Sequence, residues 1–153
     1  MTSLELKLPP PVIFLFFVVG AWLVSAPNEA RAALWSPRWG IAVVLVVLGF
    51  LLARMAMVGF RRAGTTVDPR RPERSSRLVT DGVFSRTRNP MYLALLLWLV
   101  GWSVYWGATF GWLLPPLFVA VIQRLQIVPE ERMLLQMFGE EYRAYMSSVR
   151  RWL

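Results

Sequence analysis

Cysteine and histidine are both missing from these 153 residues, and lysine occurs once. Their absence removes disulfides, thiolate nucleophiles, imidazole bases and the usual zinc ligand sets together. No metal site is expected, and any chemistry must rest on Glu, Asp, Arg, Tyr and the backbone. Charge is also scarce, at 17% of residues against 56% hydrophobic. That balance is too apolar for an ordinary water-soluble domain and makes lipid the expected solvent. The formal charge of +8 comes almost wholly from arginine, a bias that in other settings points to nucleic acid. Here the arginines flank apolar runs, so membrane orientation explains them and no nucleic acid is expected as a partner.

The length suits one domain, residues 1–153. Four apolar runs stand out: Val12 to Ala26, Trp39 to Phe60, Met91 to Trp106 and Phe110 to Val128. The first follows Pro9-Pro10-Pro11, which suits an opening helical turn. It is close to the lower limit of about 17 residues for a span. Glu5 and Lys7 precede it with no small-residue cleavage site, so it reads as a retained span and not a removable signal. The second run is interrupted only by Arg54, near enough to its end to snorkel. The third and fourth form a hairpin about Gly107, and Pro115-Pro116 places the regular start of the fourth helix near Pro115. Arg61 to Asn89 is polar, with eight arginines and scattered Pro and Gly, and reads as a loop. After Pro129 the apolar positions Leu134, Phe138, Tyr142, Tyr145 and Val149 recur at helical spacing, one face of an amphipathic helix. The expected fold is therefore an all-α membrane protein of about four transmembrane helices with a cytoplasmic loop and an amphipathic C-terminal helix.

Of the 17 Lys and Arg, 13 lie in the N-terminus, the long loop and the tail. Four spans put those three segments on one side, and the positive-inside rule makes that side the cytoplasm. The expected location is the inner membrane of a prokaryote.

Three groups of residues have chemical promise. Leu78-Val79-Thr80-Asp81-Gly82-Val83-Phe84 is followed by Arg88-Asn89-Pro90-Met91-Tyr92 at the mouth of the third span. A plain juxtamembrane turn with an Arg anchor and a helix-starting proline accounts for the composition. Alternatively, the amides and dipole of the helix N-terminus offer a place for a carboxylate or a ribose. Glu130-Glu131 follow Pro129; two glutamates in a first turn complement the helix dipole, yet a carboxylate emerging from lipid also calls for a cation. Arg124, or the sulfonium and ammonium of a ligand, would serve. Gln123-Arg124-Leu125-Gln126 is a polar cluster inside the last span. It either snorkels or marks a substrate path, with Arg124 and Gln126 the candidate catalytic residues.

Taken in order, these residues resemble a known family. The pattern Leu-Val-Thr-x-Gly-Val-aromatic, then Arg-(His/Asn)-Pro-x-Tyr, then Glu-Glu-x-x-Leu-x-x-x-Phe-Gly-x-x-Tyr-x-x-Tyr runs from about Ser76 to Val149. It is similar to that of the integral membrane methyltransferases that include isoprenylcysteine carboxyl methyltransferase and the bacterial phospholipid methyltransferases. The resemblance implies a pocket for S-adenosyl-L-methionine lined by Leu78, Val79, Phe84, Arg88, Asn89, Pro90, Met91, Tyr92, Glu130 and Glu131, with Glu130 toward the methionine portion. The substrate would be a lipophilic or amphipathic molecule dissolved in the bilayer. Two positions depart from the pattern. Asn89 stands where the family usually has His, and an amide keeps a hydrogen bond but does not titrate near neutrality. Gln126 stands where the prenylcysteine enzymes carry an arginine implicated in holding the substrate carboxylate, and it lacks that charged, bidentate grip. Two other readings stay open at this point: an NADPH-dependent membrane reductase of the steroid-reductase type, and a non-catalytic adaptor that binds anionic lipid through its arginines. The acceptor atom and the oligomeric state are not legible in the sequence.

Overall fold

Prolines open the helices of this chain, because their fixed φ suits a first turn and the N–H they lack would be unbonded there anyway. The computed structural model describes residues 5–24, 37–64, 77–107 and 110–153, and among the described residues there is no strand. Helix α1 spans Pro10–Leu23, α2 spans Pro37–Ala63 and α3 spans Pro90–Trp106. A 3-10 turn, Gly82–Ser85, precedes α3. A second, Phe110–Leu113, leads into α4, Leu114–Ile122, which passes through a π turn at Gln123–Ile127 into α5, Val128–Ser148. Each apolar run of the sequence thus falls on helix, though the bounds move. The first helix starts two residues early and ends at Leu23; Ala26 lies outside the described residues, as does the 65–76 part of the long loop. Gly107, where the sequence placed the hairpin turn, caps α3 in the left-handed region at φ 66°, and residues 108–109 lie outside the described residues.

Two stretches, Pro37–Ala63 and Gly111–Ser148, are long and apolar enough to cross a membrane, whereas α1 and α3 are apolar but shorter. Large apolar side chains cover the outside of the bundle, among them Phe16, Leu23, Phe50 and Leu113, each at least 60% exposed. Lipid, not water, solvates such a surface at no cost.

The fourth apolar run, read as ending at Val128, passes through the π turn directly into the amphipathic helix, which includes Pro129. A proline removes the hydrogen bond to the carbonyl four residues back and crowds it. Here the strain is taken up by the π turn, and the Leu125 carbonyl so freed accepts the N–H of Leu6 at 3.0 Å. The true break lies further on. Gly139 has φ 52° and ψ −122°, a conformation open to glycine alone, and the helix resumes beyond it in a new direction. Leu134, Phe138, Tyr142, Tyr145 and Val149 still pack on one cluster with Ala56, Val79 and Phe84.

Helices α2 and α3 run in opposite directions. Trp98 of α3 reaches Val46 of α2, donating its Nε1–H to that carbonyl at 3.1 Å, and Gly101 lies against Ala42. On the other side of α3, Trp98 meets Phe14 edge-on and Trp102 donates to the Val18 carbonyl, so α1 runs parallel to α3. Phe118 of α4 is fully buried against Phe14 and Phe17. The closest approach is between α2 and α3. The residues α2 buries are all small and recur every seventh position, Ala42, Gly49 and Ala56, which lets two backbones meet where lipid supplies no hydrophobic drive.

Candidate active site

At the end of the bundle where α3 begins, segments distant in sequence are drawn together. Residues 77–81 run irregularly onto the 3-10 turn, which buries Val83 and Phe84. The buried Tyr145 of α5 donates its hydroxyl to the Phe84 carbonyl at 2.6 Å. The chain after α5 then turns back over residues 87–89. The N–H of Arg88 donates to the Arg150 carbonyl at 3.0 Å, and Asn89 Nδ2 donates to that of Arg151 at 3.0 Å.

These elements enclose a cavity of about 370 Å³, within the usual range for small-molecule sites. Its lining includes Leu78, Val79, Phe84, Arg88, Asn89, Pro90, Met91, Tyr92, Glu130 and Glu131, so the ten residues expected to bind a cofactor lie on one wall system. Arg77, Tyr142 and Tyr145 complete the polar part. The rest is apolar: Pro10 and Pro11 of α1, Ala53 and Phe60 of α2, Ala94, Leu95 and Trp98 of α3, and Leu134 of α5. None of these was a site candidate in the sequence, where the prolines read as a helical opening turn and the others as ordinary apolar positions.

The two glutamates are held differently. Glu130, half-buried, accepts the Tyr92 hydroxyl at 2.9 Å, and no basic side chain pairs with it among the described residues. Glu131 is buried and receives two guanidiniums: Arg88 Nη2 at 3.0 Å on Oε1, and Arg151 through Nε at 3.0 Å and Nη2 at 2.6 Å. The hydrogen bonds to Glu131 raise the Arg151 pKa above its ordinary value. Arg88 has only 8% of its side chain exposed, donates Nη1 to the Met146 carbonyl at 3.3 Å, and has a buried Nε with no partner.

Arg124 and Gln126 stand apart from this group. Arg124 is exposed, and neither residue lines the cavity. Gln126 is fully buried beneath the N-terminal segment, where its Nε2 donates to the Leu8 carbonyl at 2.8 Å. The π turn rotates both side chains relative to a regular helix, which residue spacing alone does not reveal. Arg151 carried no signal in the sequence either, because its partner is 20 residues away and in another element.

Fold and site together define a helical membrane protein with a cavity whose polar lining gathers where α3 begins and whose apolar lining runs on along α3. Residues 38–141, over half the chain, match the phospholipid methyltransferase family. The chain belongs to that family. It is 31% identical over 118 residues to protein-S-isoprenylcysteine O-methyltransferase B of Arabidopsis thaliana, covering 75% of this chain and 57% of that one. The corresponding Schizosaccharomyces pombe methyltransferase is 28% identical over 108 residues, 71% of this chain and 46% of its own. An uncharacterized protein of Haemophilus influenzae is 48% identical over 63 residues, its whole length and 41% of this chain. This chain therefore spans about half the length of the named methyltransferases it matches. No solved structure matches it.

Proposed function

We propose that the protein transfers a methyl group from S-adenosyl-L-methionine to a lipophilic or amphipathic substrate dissolved in the membrane. The observation that carries this reading is the cavity itself, whose polar and apolar stretches suit a charged cofactor beside an apolar acceptor. The donor set also fits the cofactor's charges. Glu130 offers a carboxylate without a cation of its own, suited to an ammonium or sulfonium, and Arg88 offers a buried N–H without an acceptor, suited to a carboxylate.

When bound, S-adenosyl-L-methionine supplies an activated methyl group on a cationic sulfur that departs as a neutral thioether. The protein's part is then to align and to exclude water, which is catalysis by proximity and orientation and needs neither His, Cys nor metal. Tyr92 holds the Glu130 carboxylate in place by its hydroxyl, and Phe84, Val79 and Leu134 close the wall around the polar groups. Trp98, Leu95 and Ala53 offer the acceptor's apolar portion a surface continuous with the bundle interior. Arg124 and Gln126, outside this lining, take no part in the proposed step.

Calorimetric titration of the protein in detergent with S-adenosylhomocysteine and, separately, with NADPH tests the reading. Saturable binding of the first and none of the second is expected. Binding of NADPH alone would favour a reductase, and binding of neither would leave an anionic-lipid adaptor.

A further inference from the structure

Arg151 does not line the cavity, yet it is tied to three residues that do or adjoin it. Its guanidinium grips both oxygens of Glu131, and its backbone carbonyl accepts Asn89 Nδ2 at 3.0 Å and Thr87 Oγ1 at 3.4 Å. Glu131 Oε1 is shared between Arg151 Nε and Arg88 Nη2. A two-point hold on a carboxylate fixes its plane, which a single ion pair does not. The guanidinium of Arg88 is itself planar and rigid. With Nη2 on Glu131 and Nη1 on the Met146 carbonyl, the direction of its unpartnered Nε–H is determined.

We infer that Arg151 is a positioning residue which, through Glu131, aims the Arg88 guanidinium at the carboxylate of the bound cofactor. The inference rests on the cofactor reading above. Without the Arg151 side chain, Glu131 keeps one partner and is free to turn, and Arg88 follows it. The backbone ties from Arg150 and Arg151 to residues 87–89 do not depend on that side chain, so the tail stays docked.

The test compares Arg151→Ala, Arg151→Lys and Arg150→Ala for S-adenosylhomocysteine affinity in one detergent. Arg150 is an exposed neighbour whose side chain reaches only the Leu153 carbonyl, so it controls for the loss of a positive charge. Arg151→Ala is expected to weaken binding at least tenfold, Arg151→Lys by an intermediate factor because a lysine lacks the fork, and Arg150→Ala by less than twofold. In turnover assays the loss should appear in KM for the cofactor and leave kcat within about twofold. In an Arg88→Ala background, Arg151→Ala should have no further effect, whereas damage to the fold would add to it. Parent-like affinity in Arg151→Ala, or a loss that adds fully to that of Arg88→Ala, overturns the inference while leaving the cofactor reading intact. If the parent itself binds no S-adenosylhomocysteine, both fall together.

Discussion

Glu130 and Glu131 adjoin in sequence, and the helix turns them to different company: a tyrosine hydroxyl for one, two guanidiniums for the other. A carboxylate already held by two arginines has little left to offer a ligand cation, so the proposed reading makes Glu130 the acidic contact. The expected effect of Glu130→Gln is a loss of cofactor affinity of tenfold or more, about 1.4 kcal/mol at least. Glu140→Gln is the control, since Glu140 is exposed and pairs only with Arg143 one turn away, a contact worth a few tenths of a kcal/mol. Affinity for S-adenosylhomocysteine measured on both variants decides the matter: a change of less than about threefold at Glu130 would reduce it to a residue acting on the helix dipole. The motif made Glu130 and Tyr92 visible as candidates in the sequence. Their contact across 38 residues of chain was not, because no local pattern encodes which hydroxyl meets which carboxylate. The same holds more strongly for Arg151, whose run Arg150-Arg151-Trp152 looks like any basic tail until it folds back.

Among the elements, the pairing of α2 with α3 fixes the cavity's inner wall, because Ala53 and Trp98 both belong to it. A methyl group added at Gly49 would stand 2.4 Å from Trp98 Nε1. That ring cannot swing aside freely, being bonded to the Val46 carbonyl and packed on Phe14 and Phe50. Gly49→Ala should therefore cost about 1–3 kcal/mol as overpacking. Gly40→Ala, on the same helix with nothing within 4 Å, should change stability by well under that. Thermal unfolding of the two variants in detergent checks it, and equal midpoints would mean that α2 and α3 can move apart at no cost. The helices themselves were legible from hydropathy, and the face of α5 from residues recurring every three or four positions. The role of Gly49 was not, because a glycine within an apolar run gives no sign of what packs on it. Pro129 was half legible: the freed Leu125 carbonyl follows from the chemistry of proline, but neither the π turn nor the Leu6 N–H that donates to that carbonyl is encoded locally. Gly139 broke the helix at a point where the apolar spacing runs on undisturbed, since the side chains on either side return to the same cluster.

At the scale of the whole molecule, both described ends of the chain and the segment leading into α3 meet at one end of the bundle. Leu6 bonds to Leu125, Glu5 pairs with Arg132 at 3.1 Å, Gln126 bonds to Leu8, and Arg88 reaches Glu131. With α1 and α3 parallel and α2 opposed to them, the path from Glu5 to Arg151 crosses the bundle an even number of times. This geometry is independent of charge, yet it gathers the same segments that hold most of the Lys and Arg, and from these the positive-inside rule predicts that this end faces the cytoplasm. A fluorescent reporter fused after Leu153 should mature in cells and a phosphatase fused at the same position should be silent, because the first needs the cytoplasm and the second the opposite side. The same pair of fusions placed after Ala63 should give the same result, since Phe60 near that end of α2 packs on Phe84 beside the start of α3. An active phosphatase at Leu153 with a silent one after Ala63 would mean an odd number of crossings between them. It would also separate the Glu130-bearing helix from the segment Thr87–Asn89, which the hydrogen bonds of that segment to Arg150 and Arg151 forbid. Active phosphatase at both positions would keep the fold and reverse its orientation, so the end of the bundle that holds Glu130 and Arg88 would face away from the cytoplasm.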